Sequence, residues 1–332
     1  MLYVTTRNQL DTFTAVHTLK QDRGEDGGFW IPFRAPEFSA QQIDALKEKS
    51  VNQTIAQMMN QLFGTNLSEW DIDFCIGRYP VRMKELAGKV IVVEPWHNPQ
   101  WTFDNMVSRL IGLVGGDPSC EWPKIAVRIS VLFAVYGELL RMGTLGYGEV
   151  FDVSVLSGNF VDPISVWYAR NWGLPVKNVV CCCNENNSVW NLVCYGEMRT
   201  DLQCVATCVP EADVTCPEEL ERLIADCDNP KEVYAYLDCC QRGKMYTPPE
   251  HVLEKMRQGM YVSVVSSKRI GQTVGGVYAS HDYLLSPAGA MVYAGLQDYR
   301  SKKGQIRPSL VITQNRPAYP AADLSEASHE EI

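Results

Sequence analysis

No stretch of the 332-residue chain is apolar for long enough to span a bilayer, and the opening Thr5-Thr6-Arg7-Asn8-Gln9 lacks the apolar core of a secretory signal. Lysine and arginine form no stripe, and the net charge is -9, so a partner whose phosphates need clustered cations is excluded: no nucleic acid is expected. Neither an internal repeat nor a low-complexity tract is present. Although there are twelve cysteines, none stands in a Cys-x-x-Cys pair; Cys181-Cys182-Cys183, Cys239-Cys240 and Cys204-x-x-x-Cys208 give no zinc spacing. Following Val179-Val180, the cysteine triplet reads as small apolar side chains of a buried strand in a reducing compartment. These absences leave a cytoplasmic protein with no membrane segment and no metal.

What is present suits a large folded body. The chain is 46% hydrophobic and 21% charged, enough to bury a sizeable core in one or two units. Strands are expected over 90–93, 150–155, 176–183, 261–265 and 309–312, with helices between them over 102–114, 125–142, 188–197, 217–227, 230–242, 271–279 and 287–299. Such alternation implies a mainly parallel sheet flanked by helices on both faces. Residues 1–89 read as a separate helical N-terminal cap with helices over 38–44 and 51–63, residues 90–320 as the α/β body, and the acidic 321–332 as a disordered tail.

A series of short motifs runs along this framework. Tyr3-Val4-Thr5-Thr6-Arg7 leads to Asp26-Gly27-Gly28-Phe29-Trp30-Ile31-Pro32. Next come His97-Asn98-Pro99-Gln100-Trp101-Thr102-Phe103-Asp104-Asn105, then Pro118-Ser119-Cys120-Glu121-Trp122-Pro123-Lys124-Ile125, and then Ser157-Gly158-Asn159-Phe160-Val161-Asp162. Asn184-Glu185-Asn186 and Pro210-Glu211-Ala212-Asp213 follow. In this order they resemble the threonine synthase family, whose corresponding strips are His-Gly-Pro-Thr-x-x-Phe-Lys-Asp, Ser-Ile-Asn-Trp-x-Arg-Ile and Ser/Thr-Gly-Asn-Phe-Gly-Asp. The resemblance implies the large domain of a fold-type-II (tryptophan synthase beta-like) pyridoxal phosphate enzyme, and an activity converting O-phosphohomoserine to threonine and phosphate.

Two departures redirect that expectation. Asp104 stands where the family carries the lysine that holds the cofactor as an imine, and a carboxylate forms no imine. Where the family inserts a small domain that walls the cofactor cleft, this chain has only residues 113–117, so a domain of roughly 100 residues is missing near 114–117. The resemblance therefore implies a degenerate member, a pseudoenzyme with no catalytic residue and no cofactor expected, pyridoxal phosphate being the one to test. Its role would be to bind a phosphorylated metabolite, or a protein partner or second copy on the face that the missing domain exposes. The alternative is a residual pyridoxal phosphate-dependent lyase.

The candidate site residues each carry two readings. Ser157, Gly158, Asn159 and Phe160 form a strand-to-helix turn whose N–H groups suit a phosphate, or they simply make the corner. The β-branched Val161 replaces a family glycine and narrows the approach. Thr313 stands where the family's pyridine-nitrogen partner would be, or is a satisfied loop threonine. His97 and Trp101 line a cleft or pack its floor. Asn184 belongs to a polar strand-end loop that shapes the cleft or caps the next helix. Arg7 and Arg128 are former substrate-phosphate contacts or structural ion pairs.

Overall fold

Runs of β-branched residues and buried thiols become the central strands. The computed structural model describes residues 1–78, 81–95, 102–314 and 317. In chain order the first elements are β1 (Leu2–Thr5), β2 (Phe13–Thr14), α1 (Ala15–Lys20), β3 (Trp30–Pro32), α2 (Ala40–Asp44), α3 (Val51–Phe63) and α4 (Glu69–Ile76). The body follows with β4 (Arg82–Leu86), β5 (Val90–Glu94), α5 (Phe103–Leu113), α6 (Glu121–Arg141), β6 (Phe151–Leu156), α7 (Val161–Asn171), β7 (Val176–Cys183) and α8 (Ser188–Tyr195). Then come β8 (Met198–Arg199), α9 (Leu220–Cys227), α10 (Pro230–Arg242), β9 (Met245–Tyr246), α11 (Glu250–Gly259), β10 (Met260–Val264), α12 (Ser267–His281), α13 (Pro287–Lys303) and β11 (Ser309–Ile312).

The main sheet has the order β10-β7-β6-β11-β5-β4, parallel throughout except for β4. Its pleat sorts side chains to two faces. Ile91, Val93, Val179, Cys181 and Cys183 pack with α3, α6 and α7 on one side. Val90, Val92, Val180 and Cys182 pack with α12 and α13 on the other. The cysteine triplet is thus wholly buried in β7, as small apolar core residues. Because the strands are parallel, residues following Glu94, Leu156, Cys183, Val264 and Ile312 converge on one edge, where ligands of such sheets are held.

The N-terminal section is more than a helical cap. β1 is flanked antiparallel by β2 and β3, and β4, seven residues before the expected boundary at Lys89, pairs with β5 along its whole length. Tyr3 at one end of the chain and Leu310 near the other belong to a single apolar cluster. Helix starts here are set locally: Ser39, Ser50 and Ser68 each cap a helix, with Gln42, Gln53 and Asp71 reaching back to close a capping box.

Candidate functional site

Asp104 lies in the first turn of α5, where Thr102 caps the helix through Asn105. Its carboxylate accepts a hydrogen bond from Arg128 Nη2 at 3.0 Å, with 72% of the Asp104 side chain exposed. The Arg128 guanidinium is itself buried, sits over the Phe103 ring at 5.1 Å, and donates through Nε to Asp162 Oδ1 at 2.9 Å. Gln314, after β11, donates to the other Asp162 oxygen. Burial pushes the Asp162 carboxyl upward, and Arg128 opposes that shift. One arginine thus bridges two carboxylates across the heads of α5 and α7. Behind it, between the strand ends and helices α6 and α7, lies an apolar cavity of about 20 Å³ walled by Val93, Phe103, Val131, Val155 and Ile312 among others.

The Ser157 turn forms as its sequence directs and is then covered. Gly158 has φ +40 and Phe160 φ +74, so the chain doubles back before α7. Phe160 N donates to Ser157 O at 2.7 Å and Ser157 N donates to Cys182 O at 2.8 Å. The 3₁₀ turn Pro210–Ala212 lies over Gly158 so closely that an added Cβ would meet Glu211 O at 2.9 Å. Asn159 accepts from Glu218 N through Oδ1 at 2.8 Å and from Glu219 N through its carbonyl at 3.3 Å. The Glu211 carbonyl oxygen, which would repel a phosphate, therefore faces this turn at Gly158, and Asp162 supplies an anion to the α7 N-terminus from within the chain.

The remaining candidates are engaged in the fold. Asn184 is fully buried; its amide donates to Thr207 Oγ1 at 2.9 Å and Asp213 Oδ1 at 2.7 Å, and its carbonyl oxygen accepts from Asn186 N. Burial raises the Asp213 pKa, but hydrogen bonds from Thr207, Asn184 and Asn186 outweigh it, so the group ends below its ordinary value. This knot ties the 200–215 loop over the end of β7. Thr313 Oγ1 donates to Val93 O at 3.1 Å, the behaviour of a satisfied loop threonine. Arg7 makes a two-pronged pair with the buried Glu221, at 3.1 and 3.0 Å. His97 and Trp101 lie outside the described residues. Sequence reasoning missed Asp162, Gln314, Glu211 and Glu218 as the groups that fill this edge; an acidic residue one position into α7 was the only local signal, and the others come from distant segments.

The architecture is an α/β body with the fold seen in fold-type-II pyridoxal phosphate enzymes. Pyridoxal phosphate-bound threonine synthase from Brucella melitensis superposes with a TM-score of 0.86 at 17% identity, covering 98% of this chain and 91% of that one. Yeast threonine synthase gives 0.87 at 14% identity, covering 99% and 90%. Residues 2–79 match the threonine synthase N terminus as a sequence family. Human threonine synthase-like 1 is 22% identical over 176 residues, 51% of this chain, and the match spans only 23% of that relative's own length. Pseudomonas aeruginosa threonine synthase is 26% identical over 171 residues, 51% of this chain and 35% of the relative. The chain is thus similar to threonine synthases in fold along nearly its whole length, and in sequence over residues 2–79 and about half of the chain.

Within that family's fold, the described residues do not fit pyridoxal phosphate. The group at the head of α5 is a carboxylate already paired with Arg128, and a cavity of about 20 Å³ admits a water rather than a pyridine ring. Lys89 sits at the opposite end of β5, beside Glu149 at 3.9 Å. Lys124 Nζ donates to Glu121 at 2.7 Å within α6.

Proposed function

We propose that this chain is a catalytically inactive threonine synthase-like protein that acts by binding a protein partner. The observation that carries the reading is the Asp104–Arg128–Asp162 bridge, which puts a paired carboxylate where imine chemistry needs an amine. The closed Ser157 turn weighs against a phosphorylated metabolite as the ligand. The family's small domain is, in this reading, replaced by the connection between α5 and α6, where Gly115 takes φ +70, Gly116 N donates to Ile111 O and Asp117 N donates to Leu19 O. α4 packs beside α5 and carries Trp70 and Phe74 one turn apart, 77% and 94% exposed. An aromatic pair so displayed suits a partner's apolar surface.

The test is a titration of the purified chain with pyridoxal phosphate, followed by absorbance, borohydride reduction and mass analysis, with O-phosphohomoserine then supplied. No reduced lysine adduct and no phosphate release are expected. Release of phosphate that depends on the cofactor would replace this reading with that of a residual lyase.

A further inference from the structure

Cys216 and Cys240 stand apart from the other thiols because their sulfurs meet. Cys216 lies in the bend just before α9 and Cys240 in the last turn of α10, 24 residues further on; Sγ to Sγ is 3.4 Å. Tyr236 OH lies 3.5 Å from Cys216 Sγ, one turn before Cys240 on the same helix. Both cysteines are partly exposed, unlike the buried triplet in β7. Two sulfurs in van der Waals contact come within bonding distance, about 2.0 Å, by a small side-chain rotation.

We propose that Cys216 and Cys240 form a reversible dithiol–disulfide site whose reactant is a low-molecular-weight disulfide such as oxidised glutathione. The Cys216 thiolate attacks one sulfur of the small disulfide, forming a mixed disulfide and releasing one small thiolate. That thiolate takes the Cys240 proton. Cys240 sulfur then attacks Cys216 Sγ, the protein disulfide forms, and the second small thiolate leaves to be protonated by solvent. Counting the proton that Cys216 gives to solvent on ionising, the protein loses two electrons and two protons, and the small disulfide is reduced to two thiols.

The local environment fits this order of attack. The hydrogen bond from Cys240 lowers the Cys216 thiol to about 6, outweighing burial, while the same bond and burial push Cys240 up. Cys216 is thereby the nucleophile at neutral pH and Cys240 the resolving thiol. The position also matters, because Glu218 and Glu219, two and three residues past Cys216, hold Asn159 of the Ser157 turn. A bond to α10 would pin the segment that covers that turn.

The experiment treats the folded full chain with oxidised glutathione at neutral pH, alkylates the remaining thiols, and maps tryptic peptides without reduction. The expected product joins the peptide ending at Arg222 to the peptide ending at Arg242, in the unaltered chain and in Cys239→Ser, and is reversed by dithiothreitol. Cys240→Ser should instead retain one glutathione on Cys216. If the unaltered chain gives only glutathione adducts, or if the cross-link persists in Cys216→Ser, the assignment is overturned. Fragmentation of the joined peptides assigns the bond among Cys204, Cys208 and Cys216 on one side and Cys239 and Cys240 on the other, so the unaltered chain decides the matter even where a variant folds poorly; a bond to any other pair overturns the assignment.

Discussion

A single arginine holds two carboxylates together at the edge of the sheet. Arg128 is buried, its Nη1 has no hydrogen-bond partner among the described residues, and its charge is balanced by Asp162 on the inside and Asp104 on the outside. Removing the inner partner, Asp162→Ala, strands a buried guanidinium and should cost about 3 kcal/mol in urea unfolding. Asp104→Ala removes an exposed partner and should cost about 0.5 kcal/mol or less. Equal losses would mean that the bridge is not organised as described. Glu219 offers a second residue-scale test. It is paired with Arg222 in the core, and Arg222 also donates to Trp30 O and lies over the Phe29 ring at 4.6 Å. Burial outweighs Arg222 and raises the Glu219 pKa from 4.5 to about 7. The folded chain therefore holds a proton between pH 4.5 and 7 that the unfolded chain has released, so this group's contribution is full below the lower value and is lost as pH rises through the upper one. The loss is at most about 3 kcal/mol. Stability measured by denaturant across this window should fall with rising pH in the unaltered chain, and the corresponding fall should be smaller in Glu219→Gln.

At the scale of elements, the turn before α7 behaves as a clasp. Alanine at 158 would need a positive φ and would press on the Glu211 carbonyl, so Gly158→Ala should lower stability by about 1–3 kcal/mol in thermal or denaturant unfolding. An unchanged midpoint would show that the Pro210–Ala212 turn is free to retreat. The sequence foretold much of this level. β7 was legible because Val179-Val180 and three cysteines form an unbroken apolar run after Val176-Lys177-Asn178, and α10 because Asn229-Pro230 opens it and Gly243 closes it. β4 was not legible, since Arg82-Met83-Lys84-Glu85-Leu86 has the look of a surface loop and becomes a strand only through β5. α4 was missed because Trp70 and Phe74 sit on its solvent side and blur the helical period. The site was half readable: Asp104 and the Ser157 turn announced themselves by motif, whereas the residues that close the edge arrive from 53 to 152 positions away along the chain, a relation no local pattern encodes.

For the whole molecule, one apolar cluster running from Tyr3 to Leu310 predicts that the N-terminal section and the body unfold together. Tryptophan fluorescence and far-ultraviolet circular dichroism should give coincident denaturant transitions; a separate early step would assign the N-terminal section its own stability. No helix among the described residues is long and apolar enough to cross a membrane. The sheet order carries a further consequence, for the way the chain is made. β11, the last strand in sequence among the described residues, lies between β6 and β5, in the middle of the sheet. Until residues 309–312 leave the ribosome, β10-β7-β6 and β5-β4 are two half-sheets, each with a raw edge and no shared neighbour. A nascent chain stopped at residue 305 should therefore be captured by chaperones or precipitate, and emergence of residues 309–312 should act as the step that joins the two half-sheets.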